Sequence, residues 1–449
     1  MSANSLVRGV FLLTVSGLFT RLVGAVYRVL LVRALGAEGV GLIQMTFPLF
    51  HLGSTLATAG MPAALAKVYS EKAAQGNWKQ AHRAVLVTWV IVAPLILLSA
   101  ALLVLAAPWV SRTMLTDTRT YPSLVVMPAA IAVSSVSWVL RGYFQGQQNL
   151  APTAYAQMVE QVVRVIAVLM LAISFLPYGL AYAAAGAMAG LAIGEAAGLL
   201  VLWIYYRRDW NRIYPWSRPA QIHESRPVIH RELLSLSIPV MLHRLVNSLS
   251  SSIDVVLIPA RLTLAGFTTQ EATRLFGQFS GMAIPLLFLP TVFIFPISTA
   301  LMPVVSASAG RGDYRLLRIR IFQACCLSLA IGCMSAFLFW TIPHFLGKLL
   351  YEDASIGPLI QSLAPLAPLI YLQFILGTAL NGLGQGTVTL SNNLAGVGVK
   401  LVFVYWLTAL PQYGIMGAVI GETINALVTT ILHGYFLWRK IQPVLETAK

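Results

Sequence analysis

Long apolar stretches recur along almost the whole of this 449-residue chain, each about long enough to cross a lipid bilayer. A helix needs about 20 mostly apolar residues to span the hydrocarbon core. Charged residues make up only 10% of the sequence, whereas a soluble domain carries roughly 25%. Helices and closed barrels are the two structures that satisfy the backbone in lipid, and these stretches are too long for barrel strands. The sequence therefore predicts an all-α polytopic membrane protein.

We predict twelve transmembrane helices, which share an apolar character and a bilayer-spanning length. Their approximate ranges are 7–33, 40–66, 84–109, 122–145, 153–176, 180–206, 232–260, 275–305, 319–346, 357–382, 387–409 and 413–438.

The distribution of lysine and arginine sets the predicted orientation, because cytoplasmic loops carry an excess of these residues. With both termini in the cytoplasm, 19 of the 30 Lys and Arg residues fall in cytoplasmic segments, six in external segments and five inside spans. This asymmetry fits a multi-pass protein of a bacterial cell membrane with an even number of spans. It also accounts for most of the net charge of +15 without a nucleic-acid partner.

The longest loop, residues 207–231, is a predicted cytoplasmic linker between an N-terminal six-helix lobe (1–206) and a C-terminal six-helix lobe (232–449). The lobes look like copies, because four short patterns recur in the same chain order. The matches are Thr20-Arg21-Leu22-Val23 with His243-Arg244-Leu245-Val246, Gly76-Asn77-Trp78 with Gly312-Asp313-Tyr314, Gln145-Gly146 with Gln385-Gly386, and Ile193-Gly194-Glu195 with Ile420-Gly421-Glu422. Such a parallel repeat is typical of transporters with two pseudo-symmetric lobes around a central cavity.

Arg21 and Arg244 occupy matching positions deep in spans one and seven. Each lies 13 residues after another arginine, Arg8 or Arg231, at the predicted cytoplasmic start, which is about 20 Å along a helix. A charge at that depth costs about 2.5–3.5 kcal/mol on insertion scales and usually faces a cavity or a bundle interior. Guanidinium binds phosphate bidentately, so the pair predicts a site for a phosphate or diphosphate headgroup. The alternative is two structural arginines bonded to carbonyls or carboxylates.

Arg28 lies seven residues after Arg21 on the same helical face. It is a further candidate for substrate binding, although part of this face could instead be a glycine-flanked helix interface. Asp254 lies in the outer half of span seven, where it either pairs with Arg28 or Arg261 or binds a coupling cation.

Glu160 and Arg164 are spaced i,i+4 on span five and can pair on one helix. The repeat aligns Glu160 with Lys400 of span eleven, which suggests a bridge between the lobes that opens and closes. The alternative is a fixed intrahelical pair and a snorkelling Lys400. Glu195 and Glu422 are matched acids in spans six and twelve, and either could carry a proton.

Two further features concern spans two and eight. His51 and Gln44 share a face of span two, which favours a histidine that is satisfied in the interior.

Span eight contains four prolines, which remove backbone hydrogen bonds and bend a helix. They are Pro285, Pro290, Pro296 and Pro303. We expect a broken helix that acts either as a hinge or as a static bend.

No sequence pattern supports enzyme chemistry. The chain contains no GxxxxGK(S/T), HExxH or GxSxG pattern. Cys325, Cys326 and Cys333 lie in one apolar run without a CxxC pair, so we expect no metal or disulfide site. We therefore predict no catalytic residues and no cofactor, and transport driven by an ion gradient, the membrane potential or substrate supply.

Several stretches carry a family resemblance. They are Gly17–Gly24, Leu35–Leu42, Ala59–Lys67, Ile253–Leu262, Glu271–Gly277 and Gly281–Leu287. Together they resemble the stage V sporulation protein B family, part of the multidrug/oligosaccharidyl-lipid/polysaccharide exporter superfamily. Members of that family resemble the lipid II flippase of peptidoglycan synthesis.

The resemblance implies a central cationic cavity and the flipping of a lipid-linked sugar diphosphate in spore cortex or cell-wall synthesis. Arg21 matches a cavity arginine of the flippase, and a second cavity arginine falls nearest Tyr27 or Arg28. One alternative is a drug or cation antiporter of the same superfamily. Another is a non-transporting membrane scaffold for cell-wall assembly, with cell-wall synthesis proteins as partners. Membrane lipids and the lipid-linked substrate are the partners expected of a flippase.

Overall fold

The structure, a computed structural model, describes residues 3–213 and 226–446. Within these ranges every regular element is helical, so the prediction of an all-α polytopic fold is confirmed. The helices are α1 (Ala3–Thr58), α2 (Met61–Ala74), α3 (Trp78–Trp109), α4 (Tyr121–Gly146), α5 (Ala151–Phe175), α6 (Leu180–Ile213), α7 (Arg226–Leu264), α8 (Thr269–Phe276), α9 (Ile284–Phe288), α10 (Thr291–Gly310), α11 (Tyr314–Thr341), α12 (Pro343–Tyr351), α13 (Gly357–Leu363), α14 (Leu366–Gly382), α15 (Gly386–Leu407) and α16 (Ile415–Glu446).

The span count follows from these helices. In the two described ranges, nine helical stretches are long and apolar enough to cross a membrane. The α13–α14 pair, bent by 51°, forms one more. The first stretch contains two predicted spans, since α1 is broken at Gly36, and the 39-residue α7 corresponds to predicted span seven. The helices are compatible with the twelve spans expected from the sequence, and the exact count stays a prediction.

Spans one and two are joined by a single residue. Gly36 has φ 69° and ψ 177° in the middle of α1, a conformation that a residue with a side chain rarely adopts. A second break follows α1, where Gly60 has φ 72°. A Cβ atom at Gly60 would lie 2.4 Å from the carbonyl oxygen of Ser237. The turn between α1 and α2 therefore packs directly on the backbone of α7.

A ladder of four glycines on α6 brings that helix against α5. The ladder consists of Gly186, Gly190, Gly194 and Gly198, spaced so that they share one face. A Cβ at Gly194 would lie 2.5 Å from the Cβ of Arg164, and one at Gly198 would lie 3.0 Å from the Cβ of Glu160. Small residues permit such close packing of membrane helices. The ladder holds the charged residues of α5 against α6.

One of the sequence matches between the halves is also a structural match. Gly76 and Gly312 have φ angles of 74° and 72°. The following residues, Asn77 and Asp313, are the N-caps of α3 and α11, and the side chain of each accepts a backbone N–H three residues on. The same turn thus begins corresponding helices in both halves, as the predicted repeat requires.

Predicted span eight is broken, as its prolines indicate. α8 leads into a π-helical segment at 277–283, which is followed by α9, a break at Pro290 and then α10. Two buried tyrosines stabilise the irregular backbone: the Tyr351 hydroxyl donates to the Met282 carbonyl (3.1 Å) and the Tyr371 hydroxyl to the Leu287 carbonyl (2.8 Å). These bonds satisfy carbonyls near the breaks. A hinge function of this span stays a prediction.

The chain forms two compact units, Met1–Val256 and Leu257–Lys449. The division falls inside α7, whose first part packs with α1 and α2. Besides the close approach at Gly60, an ion pair of 3.6 Å links Lys72 of α2 to Glu232 of α7. Residues 214–225 of the predicted linker lie outside the described residues, so the linker and the lobe boundaries at 206 and 232 stay predictions.

Candidate functional site

A cavity of about 340 Å³ lies among α1, α4 and α7 in the first unit. Arg244 of α7, Trp138 of α4 and His51 of α1 line it. The other lining residues all carry hydroxyl groups. They are Ser54, Thr55, Thr58, Ser248 and Ser251. Because the described lining includes an arginine and no carboxylate, the cavity suits an anionic group with several hydrogen-bonding oxygens.

Aromatic packing positions the Arg244 side chain. The ring centre of Trp138 lies 5.8 Å from the Cζ of Arg244 and 5.1 Å from the Cζ of Arg141. Both distances are within the range of a cation–π interaction, which is stronger away from water. Trp138 therefore contacts both Arg244, which lines the cavity, and Arg141, which lies on the same helix as Trp138.

Ser248 offers an unused hydrogen-bonding group in the same cavity. It follows Arg244 by four residues and so lies on the same face of α7. It is only 7% exposed, and its hydroxyl has no hydrogen-bond partner among the residues that the structure describes. Leaving a buried hydroxyl unbonded costs about 1–3 kcal/mol. A ligand oxygen held by Arg244 would be placed on the face of the helix that also carries this hydroxyl.

His51 borders this cavity and is exposed to it. Its ring packs edge-on against Phe47 and Phe50, with centroids 5.5 and 5.4 Å away. The interpretation of His51 as a satisfied interior histidine stays a prediction. The sequence shows that His51 lies on an apolar span, but the open space beside it is created by α4 and α7.

The other two predicted substrate arginines lie on α1. Arg21 is exposed, on the same side of the helix as the exposed Leu18 and Leu22. Arg28 is half-buried. Among the described residues around the 340 Å³ cavity, neither arginine belongs to the lining. A substrate-binding role for Arg21 and Arg28 stays a prediction.

A buried ion-pair network connects α4, α5 and α6. Glu160 accepts hydrogen bonds from both Arg141 and Arg164, and the Nη2 atom of Arg164 also lies 2.9 Å from Glu195. The two carboxylates are 6% and 7% exposed. Two guanidiniums and two carboxylates make the formal charge of the network zero. Such pairing is what allows charges to remain within a membrane-spanning bundle.

Arg141 is the member of this network that sequence reasoning missed. It lies near the predicted cytoplasmic end of span four, where the excess of positive charge in cytoplasmic segments is enough to explain an arginine. Glu160 and Arg164 do pair on one helix, as their spacing allows. The partner of Glu195 comes from α5, and the glycine ladder brings it close. A stripe of glycines at i,i+4 spacing was the sequence signal for that contact.

The second unit contains a simpler ion pair at the matching place. The Nζ atom of Lys400 on α15 lies 3.0 Å from Glu422 on α16, and Asn425 donates to the other carboxylate oxygen at 3.3 Å. Lys400 is only 6% exposed. Lys400 and Glu160 thus each have a partner in their own unit. The alternative bridge between Glu160 and Lys400 stays a prediction.

The remaining candidate, Asp254, is half-buried near the end of the first unit. Its role in pairing or coupling stays a prediction. Among the described residues, no group of three or more His, Cys, Asp and Glu side chains could hold a metal ion.

The helical bundle, the polar cavity and the internally neutralised charges define the class of polytopic membrane transporters. Within that class, the chain belongs to the polysaccharide biosynthesis protein family, whose model matches residues 6–309. The MatE family model matches residues 280–406. The family expected from the sequence is thereby confirmed.

Curated relatives match nearly the whole chain. Stage V sporulation protein B of Bacillus subtilis (strain 168) is 34% identical over 434 residues, which cover 96% of this chain and 83% of that protein. The lipid II flippase MurJ of the same strain is 26% identical, over 98% of this chain and 83% of its own length.

Solved structures share the fold at low sequence identity. An inward-facing multidrug resistance MATE family transporter of the MOP superfamily has a TM-score of 0.78 at 14% identity, covering 96% of both chains. A MOP superfamily transporter from Pyrococcus furiosus has a TM-score of 0.61 at 18% identity, again covering 96% of both chains. At these identities the likeness concerns the fold alone.

Proposed function

We propose that this protein moves a lipid-linked saccharide across a bacterial cell membrane by alternating access. In this proposal, Arg244 receives the phosphate or diphosphate of the headgroup in the cavity of the first unit. The observation that carries the proposal is a guanidinium that shares a 340 Å³ cavity with five hydroxyl side chains and no described carboxylate. The polyprenyl tail is a hydrocarbon without polar groups, so it would remain in the lipid.

The unbonded hydroxyl of Ser248 supports the same ligand chemistry. A phosphate oxygen bound to Arg244 accepts charge-assisted hydrogen bonds, which are about twice as strong as neutral ones. The Ser248 hydroxyl can donate to such an oxygen, while sugar hydroxyls can bond to the neighbouring Ser and Thr residues. Both groups of a saccharide phosphate thus find partners in one space.

The charge distribution argues against an antiporter of organic cations. Such a transporter needs an acidic group that is free to bind the cation or a proton. Three of the four candidate acids are paired, Glu160 and Glu195 with arginines and Glu422 with Lys400. The fourth, Asp254, does not belong to the described lining of the cavity. The cavity itself presents a cation. An anionic substrate therefore fits better than a cationic one.

The names of two relatives support a role in the cell envelope. One is a stage V sporulation protein and the other is a lipid II flippase. We infer that the saccharide is a peptidoglycan precursor or a related lipid-linked oligosaccharide, used in cell-wall or spore cortex synthesis. Proteins of cell-wall synthesis are the expected partners of such a flippase.

The direct test is flipping of a fluorescent lipid-linked saccharide in liposomes that contain the purified protein. We expect Arg244→Gln to reduce the initial rate about 10- to 100-fold, because a hydrogen bond to a charged group contributes about 1.5–3 kcal/mol. Arg244→Lys keeps the charge but loses the bidentate geometry, so its rate should be intermediate. Arg315→Gln, at an exposed arginine of α11, is the matched control and should flip at the wild-type rate.

Two outcomes would contradict the proposal. Wild-type flipping by Arg244→Gln would remove Arg244 from the substrate path. A wild-type protein that flips nothing in liposomes, yet restores growth to a flippase-depleted or cortex-deficient strain, would favour the scaffold. In the same complementation assay, Arg21→Ala and Arg244→Ala should each fail if both arginines contact the headgroup.

A further inference from the structure

A second cavity, of about 310 Å³, lies wholly within the second unit. It is bordered by α14, α15 and α16. Its described lining is rich in side-chain amides, in contrast to the hydroxyl-rich cavity of the first unit. The amide side chains of this second cavity are Gln373, Asn381, Asn393 and Asn425. Carboxamides inside a membrane-spanning bundle are costly unless they are hydrogen-bonded, so this concentration calls for a partner.

The charge of this cavity is already balanced. Glu422 is the acidic residue in its described lining, and the Lys400 ammonium lies 3.0 Å from one of its oxygens. Asn425 donates to the other oxygen. A bound cation would have to displace Lys400, and a bound phosphate would face the carboxylate. The site therefore selects for a neutral ligand.

Asn393 shows which groups that ligand must carry. Its side-chain oxygen is buried and receives no hydrogen bond from the described residues. An amide presents an acceptor and two donors, so a ligand that uses it fully has to donate as well as accept. Hydroxyl groups do both. Thr389, four residues earlier on α15, lines the same cavity and already donates to the Gln385 carbonyl, which leaves its oxygen able to accept.

An aromatic pair borders the same cavity. The rings of Phe288 and Phe374 meet edge to face, with centroids 6.4 Å apart and an interplanar angle of 89°. The two side chains are 39% and 43% exposed. An exposed aromatic ring offers an apolar surface for the C–H face of a sugar ring. Amides and aromatic rings together match a ligand with hydroxyl groups at its edge and an apolar face.

We propose that the cavity of the second unit binds a neutral sugar ring. The volume of about 310 Å³ falls at the small end of the range for ligand sites, which suits one ring with ordered water. The site itself stands on its amides, its neutral charge and its aromatic rings. It rests on the proposed function only for the source of the sugar, which is then a ring of the lipid-linked saccharide other than the one bonded in the cavity of the first unit.

The test is saturation-transfer NMR on the full-length protein in detergent. The probes are a neutral hexose, an N-acetylhexosamine, a hexose phosphate and methylammonium. We expect transfer to the two neutral sugars and none to methylammonium. Asn393→Leu should lower the affinity for the neutral sugars about tenfold, since it removes more than one hydrogen bond. Its melting temperature should be unchanged or higher, because the amide oxygen it removes is unbonded. Gln323→Leu, an exposed amide of α11, is the control and should bind like wild type.

The possible results distinguish failure of the sugar site from failure of the proposed function. No transfer to either neutral sugar, wild-type affinity in Asn393→Leu, or displacement of the sugar by methylammonium would overturn the inference. Arg244→Gln should still bind the neutral sugars even when it no longer flips the substrate. If wild-type protein binds the sugars but flips no lipid-linked saccharide, the flippase proposal fails and the sugar site stands, with a free sugar as its ligand.

Discussion

Replacing Glu422 with Gln should destabilise the second unit strongly, because it leaves the Lys400 ammonium buried without its counter-charge. Lys400 is 6% exposed, and its Nζ lies 3.0 Å from Glu422. Removing one partner of a buried ion pair costs about 3–5 kcal/mol. The Glu422 side chain is 25% exposed, so water compensates part of this. We therefore expect about 3 kcal/mol, or roughly a hundredfold in the unfolding equilibrium.

The assay is a double-mutant cycle on purified protein, with the free energy of unfolding measured by denaturant titration in detergent. The single variants are Lys400→Gln and Glu422→Gln, combined in the double variant. Glu71→Gln is the matched control, because Glu71 pairs with Lys67 at 3.8 Å with both side chains about half exposed. Such surface pairs contribute about 0–1 kcal/mol.

A second double-mutant cycle tests the pairing of Lys400 with Glu160, which only the sequence repeat suggests. Combining Lys400→Gln with Glu160→Gln should give a coupling energy near zero, because Glu160 is already held by Arg141 and Arg164. A coupling between Lys400 and Glu160 as large as that between Lys400 and Glu422 would refute this reasoning. It would instead support the opening and closing bridge between these two residues.

Three further changes test the packing and the polar contacts. Gly194→Ala should cost about 1–3 kcal/mol, since its Cβ would lie 2.5 Å from that of Arg164; Gly17→Ala, with open space around it, should be neutral or stabilising. Unchanged melting of Gly194→Ala would contradict the close packing of α5 and α6. Tyr371→Phe should lower stability by about 1–3 kcal/mol, because the Leu287 carbonyl loses its hydrogen-bond donor. An unchanged melting temperature would show that the broken helix of span eight does not depend on this hydrogen bond. Burial raises the pKa of Asp353, but hydrogen bonds from Ser355 and Gln278 outweigh it and hold that pKa below its usual value. Asp353→Asn should therefore cost about 0.5 kcal/mol at neutral pH. The difference from wild type should begin to shrink below about pH 4 and be lost as the pH falls through the lowered pKa of the folded state; a difference that does not shrink in acid would exclude the carboxylate as its cause.

The sequence predicted the membrane class and the helices well, because burying an apolar stretch in lipid is a local property. Even the break in span eight was visible in its prolines. The boundary between spans one and two was also predicted, since the break at Gly36 falls in the predicted gap 34–39. The break at Gly60 was missed, because it lies inside predicted span two, 40–66.

The partners of the charged residues were harder to predict, since they depend on which helices pack together. The spacing of Glu160 and Arg164 is enough to pair them on one helix. Arg141 and Glu195 join them only because α4 and α6 lie beside α5. The cavity around Arg244 likewise requires residues from three helices. Single positions were thus identified from the sequence, while the groups they form required the tertiary structure.

The cancelled charges of the first unit have an electrical consequence. Moving one elementary charge through a membrane potential of 100 mV involves about 2.3 kcal/mol. The network of Arg141, Arg164, Glu160 and Glu195 carries no net formal charge, so displacing it as a body does almost no work against that potential. Arg244 adds one positive charge to the cavity, and no carboxylate in the described lining pairs with it. A headgroup with one negative charge seated there would cancel that charge and remove its response to voltage, whereas a diphosphate with two negative charges would reverse the sign of the response.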